Sequence, residues 1–256
     1  MQPRKGLGQH FLTDANIADK IVAALRVKSD ASVAEIGPGP GALTERLIRR
    51  FRDFCAIEVD ERAIEQLHSV HPNIVLFHED ILRFDWNKLY EKKGRLSVIG
   101  NLPYYITSPI LFSVLDQSRF FDKAVFMIQK EVAERITAQP RTKAYGILSV
   151  QTQVLAKVTY EFTVSRHVFF PKPKVESGVI SLDFLHPVLP CRIENFKKVV
   201  RTAFNQRRKQ LKNGLGTVIG TDSNIDFDLT RRPEELSPGE FINLTVLLEK
   251  IGRLSA

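Results

Sequence analysis

The sequence predicts an α/β protein, an open and mostly parallel sheet covered by helices, followed by a small C-terminal all-α domain. Three observations predict it. Short apolar runs alternate with segments of helical periodicity from Val33 to Leu185. A glycine-rich loop joins the first of these runs to a helical segment. Prolines at 187 and 190 then separate this region from two amphipathic segments without strand character.

In chain order, a glycine-rich basic arm from Arg4 to Leu12 precedes a segment, Asp14 to Arg26, that places Ile17, Ile21, Val22 and Leu25 on one helical face. Strands are expected at Val33 to Ile36, Phe54 to Glu58, Ile74 to Phe77, Leu96 to Gly100 and Ala124 to Ile128. The β-rich runs Val158 to Val164 and Gly178 to Leu185 are expected to pair antiparallel at the end of the sheet. Beyond the proline linker, Glu194 to Leu211 and Pro238 to Ile251 read as amphipathic helices joined by the turn-rich stretch Asn213 to Asp228. The domains are therefore placed at 1–187 and 188–256.

The 256 residues, 43% of them hydrophobic, suffice to bury a large core, and the net charge of +8 favours a polyanionic partner. Cys55 and Cys191 are the only cysteines, which excludes a disulfide framework and suits a reducing, cytoplasmic compartment. Arg4 and Lys5 are followed by no apolar stretch of signal-peptide type, and no run approaches the ~18 apolar residues of a membrane span. A mature, soluble monomer without membrane association is expected. Histidines at 10, 68, 71, 78, 167 and 186 lack ligand spacing, so no metal is expected.

The loop Glu35-Ile36-Gly37-Pro38-Gly39-Pro40-Gly41 lets the backbone turn tightly and approach a ligand closely. Its G-x-G-x-G spacing departs from the G-x-G-x-x-G of dinucleotide sites, and Glu35 precedes it by two positions. Both features point away from NAD and towards S-adenosylmethionine in a Rossmann-like domain. Glu58 ends the second strand, where a carboxylate can accept hydrogen bonds from both ribose hydroxyls. Asp80 follows the third and is placed to reach the adenine ring. Ligands of such sheets sit at the carboxyl ends of the strands, where these groups converge.

The fourth strand runs into Gly100-Asn101-Leu102-Pro103-Tyr104-Tyr105. The exocyclic amine of adenine is a poor nucleophile because its lone pair is delocalised into the ring. Acceptors facing its N–H groups draw the nitrogen towards tetrahedral geometry, and the side-chain carbonyl of Asn101 and the backbone carbonyl of Leu102 suit that task, with Pro103 fixing the turn. Tyr104 offers a ring on which an extruded base can stack. Phe169, in a proline-stiffened loop running to Val175, is the candidate second ring, with Phe170 its rival and core packing the alternative for either.

These motifs resemble the ribosomal RNA adenine dimethyltransferases, in their bacterial small-subunit branch. The resemblance spans nearly the whole chain: Gly8 to Leu12, Glu35 to Gly41, Glu58, Asp80, Asn101 to Tyr104, Gln129 to Arg135, Phe169 to Ser177, Phe204 to Lys209 and Arg232 to Ser237. It implies cofactor contacts at His10, Leu12, Gly37, Glu58, Asp80 and Asn101. It also implies N6-dimethylation of two adjacent adenosines near the 3′ end of small-subunit ribosomal RNA, on a partly assembled subunit. Histidine at position 10 is a variant of the family's usual asparagine, so the backbone contact at Leu12 is the firmer implication. Leu102 and Arg207-Arg208-Lys209 favour this branch over resistance enzymes acting on large-subunit RNA, and a non-catalytic factor is the third reading.

Between Asn195 and Thr221 lie seven Lys or Arg residues and no acid. Phosphate contacts from this predicted helix, with Arg207, Arg208 and Lys209 foremost, would position RNA without reading its bases.

Overall fold

The computed structural model describes residues 2–4, 6, 8–220 and 225–254. Lys5 and Leu7 of the arm, and Thr221 to Asn224 of the turn-rich stretch and basic run, lie outside the described residues. The chain divides into two units, residues 1–133 with 157–185 and residues 134–156 with 186–256.

The first unit carries strands β1 (Phe11–Leu12), β2 (Val33–Ile36), β3 (Phe54–Glu58), β4 (Val75–His78), β5 (Leu96–Asn101), β6 (Phe121–Gln129), β7 (Ala156–Val164, its first residue grouped with the other unit), β8 (Phe169–Phe170) and β9 (Ser177–Phe184). Seven of them form one sheet in the order β4-β3-β2-β5-β6-β9-β7, and β1 pairs with β8 separately. Strands β2 to β6 are mutually parallel, and β9 runs antiparallel to β6 with Met127 opposite Val179. The sequence places β7 and β9 together at the sheet's end, and there they lie, with β9 inserted between β6 and β7. Reversal of sequence order between β3-β2 and β5-β6 opens a crevice at the carboxyl ends of β2 and β5.

Burial accounts for these strands. β2, β3 and most of β5 and β6 are covered on both faces, so they read as unbroken apolar runs rather than alternating ones. β6 is longer than its apolar run because Lys123 lies buried in it, neutralised by its cross-strand partner Asp183 at 2.7 Å. The helix Ala15–Ala23 begins at Asp14, whose carboxylate accepts from the amide of Ile17, and buries Ala18, Ile21 and Val22 in a cluster with Leu47, Val125 and Met127. Burial pushes the Cys55 thiol up to about 12, which leaves it unreactive at neutral pH.

The second unit contains the helices Ile147–Leu155, Ile193–Asn205 and Pro238–Lys250. Phe196, Val199, Val200, Phe241, Leu244 and Leu248 are fully buried there, and Phe204 stacks on Phe241 with ring centres 5.8 Å apart. Ser237 caps the last helix in a reciprocal arrangement with Glu240.

Two sequence expectations change. Residues 134–156 group with the C-terminal helices instead of with residues 1–133, because Ile147–Leu155 is buried on nearly every face and Tyr145 donates to the carbonyl of Leu236 at 2.8 Å. The basic helix ends at Asn205, where Gln206 leaves helical geometry at ψ 47°. Arg207, Arg208 and Lys209 therefore stand on a turn, closed by the amide of Lys209 on the carbonyl of Gln206. Among the described residues, no helix is long and apolar enough to cross a membrane.

Candidate active site

A single cavity in the first unit takes its walls from the arm, the glycine loop and the carboxyl ends of β2, β3, β4 and β5. His10, Leu12, Gly37, Glu58, Asp80, Asn101, Leu102, Pro103 and Tyr104 all line it, so nine residues named from sequence meet at one place.

The floor is the loop after β2. Gly37, Gly39 and Gly41 adopt φ of +65°, +52° and +96°, a left-handed run that side chains disfavour. At Gly41 a Cβ would also fall 2.9 Å from Leu67. Glu58 braces this loop. Its Oε1 accepts from the amides of Val59 and Asp60, at 2.8 and 2.9 Å, and its Oε2 accepts from the amide of Gly39 at 3.1 Å. A carboxylate has about four lone-pair directions, so three are engaged and one remains for an incoming hydroxyl.

Glu35, the acid that the sequence marks ahead of the glycine loop, lies beneath that loop and lines the cavity. It is buried, and burial pushes its carboxyl up to about 8, opposed by the hydrogen bond from the Thr44 hydroxyl at 2.7 Å and reinforced by the nearby charge of Glu58. It is thus protonated at neutral pH, which spares the cavity a second buried charge. Asp60, which sequence reasoning passed over, lies outside the lining but anchors Gln9 of the cavity wall. The Arg62 guanidinium beside it, with help from Gln9, holds its carboxyl down at about 2. Its role as N-cap of the helix Glu61–Val70 was the available sequence signal. Asp80, exposed at the rim, accepts from the amide of Leu82 at 3.0 Å.

The arm crosses the cavity. β1 places Phe11 opposite Phe170 and Leu12 opposite Phe169, and Gln9 donates to Asp60 at 2.9 Å. The imidazole of His10 meets the carbonyl of Pro171 at 2.7 Å through Nδ1, and because a carbonyl only accepts, Nδ1 carries the proton. The same ring packs on Tyr104 with centres 5.4 Å apart.

Asn101 ends β5 and donates through Nδ2 to the backbone carbonyl of His10 at 3.0 Å. That bond turns its Oδ1 away from the arm. Leu102 is anchored by its amide on the carbonyl of Met127 at 3.0 Å, and its side chain is buried. Pro103 starts a tight turn, Tyr104–Ile106, and its carbonyl accepts from the hydroxyl of Thr107 at 2.9 Å. The hydroxyl of Tyr104 shares a 2.7 Å hydrogen bond with that of buried Ser177, and burial raises the phenol's pKa.

Phe169 departs from its expected place. It is 5% exposed and packs in the apolar cluster with Leu12, Val164 and Val179, away from the cavity lining. Its neighbour Phe170, on the opposite face of the strand, is 61% exposed. Strand alternation accounts for the difference. Arg207 likewise has partners inside its own unit, an ion pair with Glu234 at 2.6 Å and a hydrogen bond to the carbonyl of Thr142 at 3.2 Å, whereas Arg208 and Lys209 are exposed.

The glycine cradle, the open direction on Glu58 and the rim acid Asp80 suit a nucleoside, such as the one that S-adenosylmethionine carries. Comparison with known proteins gives the same chemistry. The 46% identical small-subunit ribosomal RNA methyltransferase A of Salinibacter ruber is matched over 95% of this chain and 84% of its own length. That of Ligilactobacillus salivarius is 42% identical over 97% and 91%. A dimethyladenosine transferase from Plasmodium falciparum has the same fold, with a TM-score of 0.79 and 25% identity across 95% of this chain and 98% of that one. The 23S rRNA methyltransferase ErmE follows at a TM-score of 0.69 and 26% identity over 93% and 99%. The model of the ribosomal RNA adenine dimethylases matches residues 1–243, and with these relatives it shows that the chain belongs to that family.

Proposed function

We propose that this enzyme transfers methyl groups from S-adenosylmethionine to N6 of two adjacent adenosines near the 3′ end of small-subunit ribosomal RNA, giving N6,N6-dimethyladenosine on a partly assembled subunit. The observation that carries this reading is the orientation of Asn101. Its amide nitrogen is committed to the His10 carbonyl, so its oxygen is the atom offered to the cavity.

When bound, S-adenosylmethionine supplies a methyl group on a positively charged sulfur. Glu58 holds the glycine loop and keeps one direction for a ribose hydroxyl. Asp80 stands at the rim for the cofactor's adenine, and His10, Leu12 and Gly37 form the remaining wall. The target adenine lies against Tyr104, with its amine donating to Asn101 Oδ1 and to the Leu102 carbonyl. These two acceptors draw the nitrogen lone pair out of conjugation and aim it for in-line attack. Asn101 takes up no proton: the alkylated amine is acidic and releases its proton to water. The site's contribution is mainly proximity and orientation. A second round at the same nitrogen needs only that one acceptor remain, since the monomethylated amine keeps a single N–H.

The small-subunit target is supported by the names of the relatives and by Leu102. Arg208 and Lys209, exposed on their turn, are the proposed phosphate contacts of the second unit, whereas Arg207 holds that turn against Glu234. The test is methyl transfer to small subunits lacking the modification, compared with large subunits. Label confined to adenosines of the small subunit is the expected result. Label in large-subunit RNA alone would replace this reading with the resistance-type activity.

A further inference from the structure

The loop between β7 and β9 carries cations that cofactor binding and methyl transfer do not use. Arg166, Lys172 and Lys174 are all exposed, as is the ring of His167. The loop is stiffly built. Arg166 donates to the carbonyl of Lys174 at 3.3 Å, and the ammonium of Lys172 lies 3.3 Å from the His167 ring. Two prolines, 171 and 173, flank Lys172. Three cations thus stand within nine residues of one loop, a charge that a polyanion would neutralise.

The loop is also tied to the cavity mouth. The carbonyl of Pro171 accepts from His10, which lines the cavity, and Phe170 stands opposite Phe11 in the β1–β8 pair. Phe170 is 61% exposed although it is a large apolar ring. Across the arm a second exposed ring, Tyr105, is 57% exposed and lies so close to Gly8 that a Cβ there would fall 2.8 Å from it. The arm therefore runs between two open aromatic faces, one with a cluster of cations beside it. Alternating rings and cations suit single-stranded nucleic acid, whose bases stack while its phosphates pair.

We infer that Phe170, Arg166, Lys172 and Lys174 form a single-strand RNA platform in the catalytic unit, holding the nucleotides that flank the target adenosine. Phe170 is the stacking face for a flanking base, and the three cations take its neighbouring phosphates. This inference rests on the proposed ribosomal RNA substrate and deepens it. It gives the exposed Phe170 a task distinct from the target base itself, which lies against Tyr104.

The experiment measures kcat/KM for methyl transfer to unmodified small subunits across a salt series, alongside calorimetric binding of S-adenosylmethionine. Replacing Arg166, Lys172 and Lys174 together by Gln should flatten the slope of log kcat/KM against log salt by about two, at roughly 0.7 per lost phosphate contact. The Lys/Arg-exchanged triple (R166K, K172R, K174R) should restore the slope, and cofactor affinity should be unchanged in both. Phe170→Ala should lower kcat/KM about tenfold and Phe170→Trp should retain it. A Gln triple with the wild-type slope, or a loss that the charge-retaining triple shares, would overturn the platform. Wild-type protein that binds cofactor yet methylates no small subunit would instead overturn the substrate reading, and the platform with it.

Discussion

The side chain of Asn101 and the backbone carbonyl of His10 are joined by a 3.0 Å hydrogen bond, so the residue proposed to face the target amine takes its orientation from the arm that lines the cavity. An amide free to flip would present its donor half to the amine's own N–H groups and repel them.

Asn101→Ala is expected to reduce single-turnover methyl transfer by at least about a hundredfold, the scale of a lost positioning contact at the reacting atom. The fold should survive, because the side chain is only half-buried at the strand's end. Transfer to unmodified small subunits and the thermal midpoint check both halves. Turnover near wild type would remove Asn101 from the mechanism.

Glu35 gives the protein a pH signature. Its carboxyl moves from an ordinary 4.5 up to about 8, chiefly through burial. Between those values the unfolded chain ionises while the folded protein keeps its proton, so stability declines as pH rises through this window. Glu35→Gln should abolish that decline and stabilise the protein at pH 8 by on the order of a few kcal/mol. A cation in the cavity favours the ionised acid, so cofactor affinity should tighten towards pH 8 in wild type and not in the variant. Urea unfolding at pH 5 and pH 8 decides the first point; parallel curves would contradict it.

Phe169 and Phe170 should separate cleanly in stability. Phe169→Ala removes a ring from the cluster around Leu12 and Val179 and should cost about 3–5 kcal/mol. Phe170→Ala should stay within about 0.5 kcal/mol of wild type, because its ring is exposed. Denaturant midpoints measure both. Equal costs would mean that the two faces of β8 are wrongly assigned.

Arg207 should behave unlike its neighbours. Arg207→Ala breaks the pair with Glu234, which is partly exposed, and should cost under about 1 kcal/mol of stability while leaving the salt dependence of RNA binding alone. Arg208→Ala with Lys209→Ala should leave stability alone and flatten that salt dependence by up to about 0.7–0.9 log units per lost contact. Binding to unmodified small subunits over a salt series distinguishes them. An unchanged slope in the double variant would remove this turn from the RNA interface.

Strands β2, β3 and β5 were legible because each is buried on both faces and bounded by polar or turn residues, so an apolar run and a strand coincide. The cavity was legible because the glycine loop, Glu58, Asp80 and Asn101 all occupy strand ends, where the sheet itself brings them together. Sequence periodicity could not find β1 and β8, which are two residues each and pair across more than 150 positions. Nor could it show that Lys123 continues β6, since the neutralising Asp183 is supplied by a strand far along the chain. Glu35 was legible as the acid before the glycine loop, but its raised pKa was not, because that comes from burial, and the grouping of residues 134–156 with the C-terminal helices rests on long-range packing at Tyr145.

The most direct test is transfer from labelled S-adenosylmethionine to small subunits lacking the modification, followed by digestion and identification of the labelled nucleoside. The account predicts N6,N6-dimethyladenosine, two per subunit, at adjacent positions near the 3′ end of the RNA. Measurable cofactor binding with no labelled adenosine in the small subunit would contradict it.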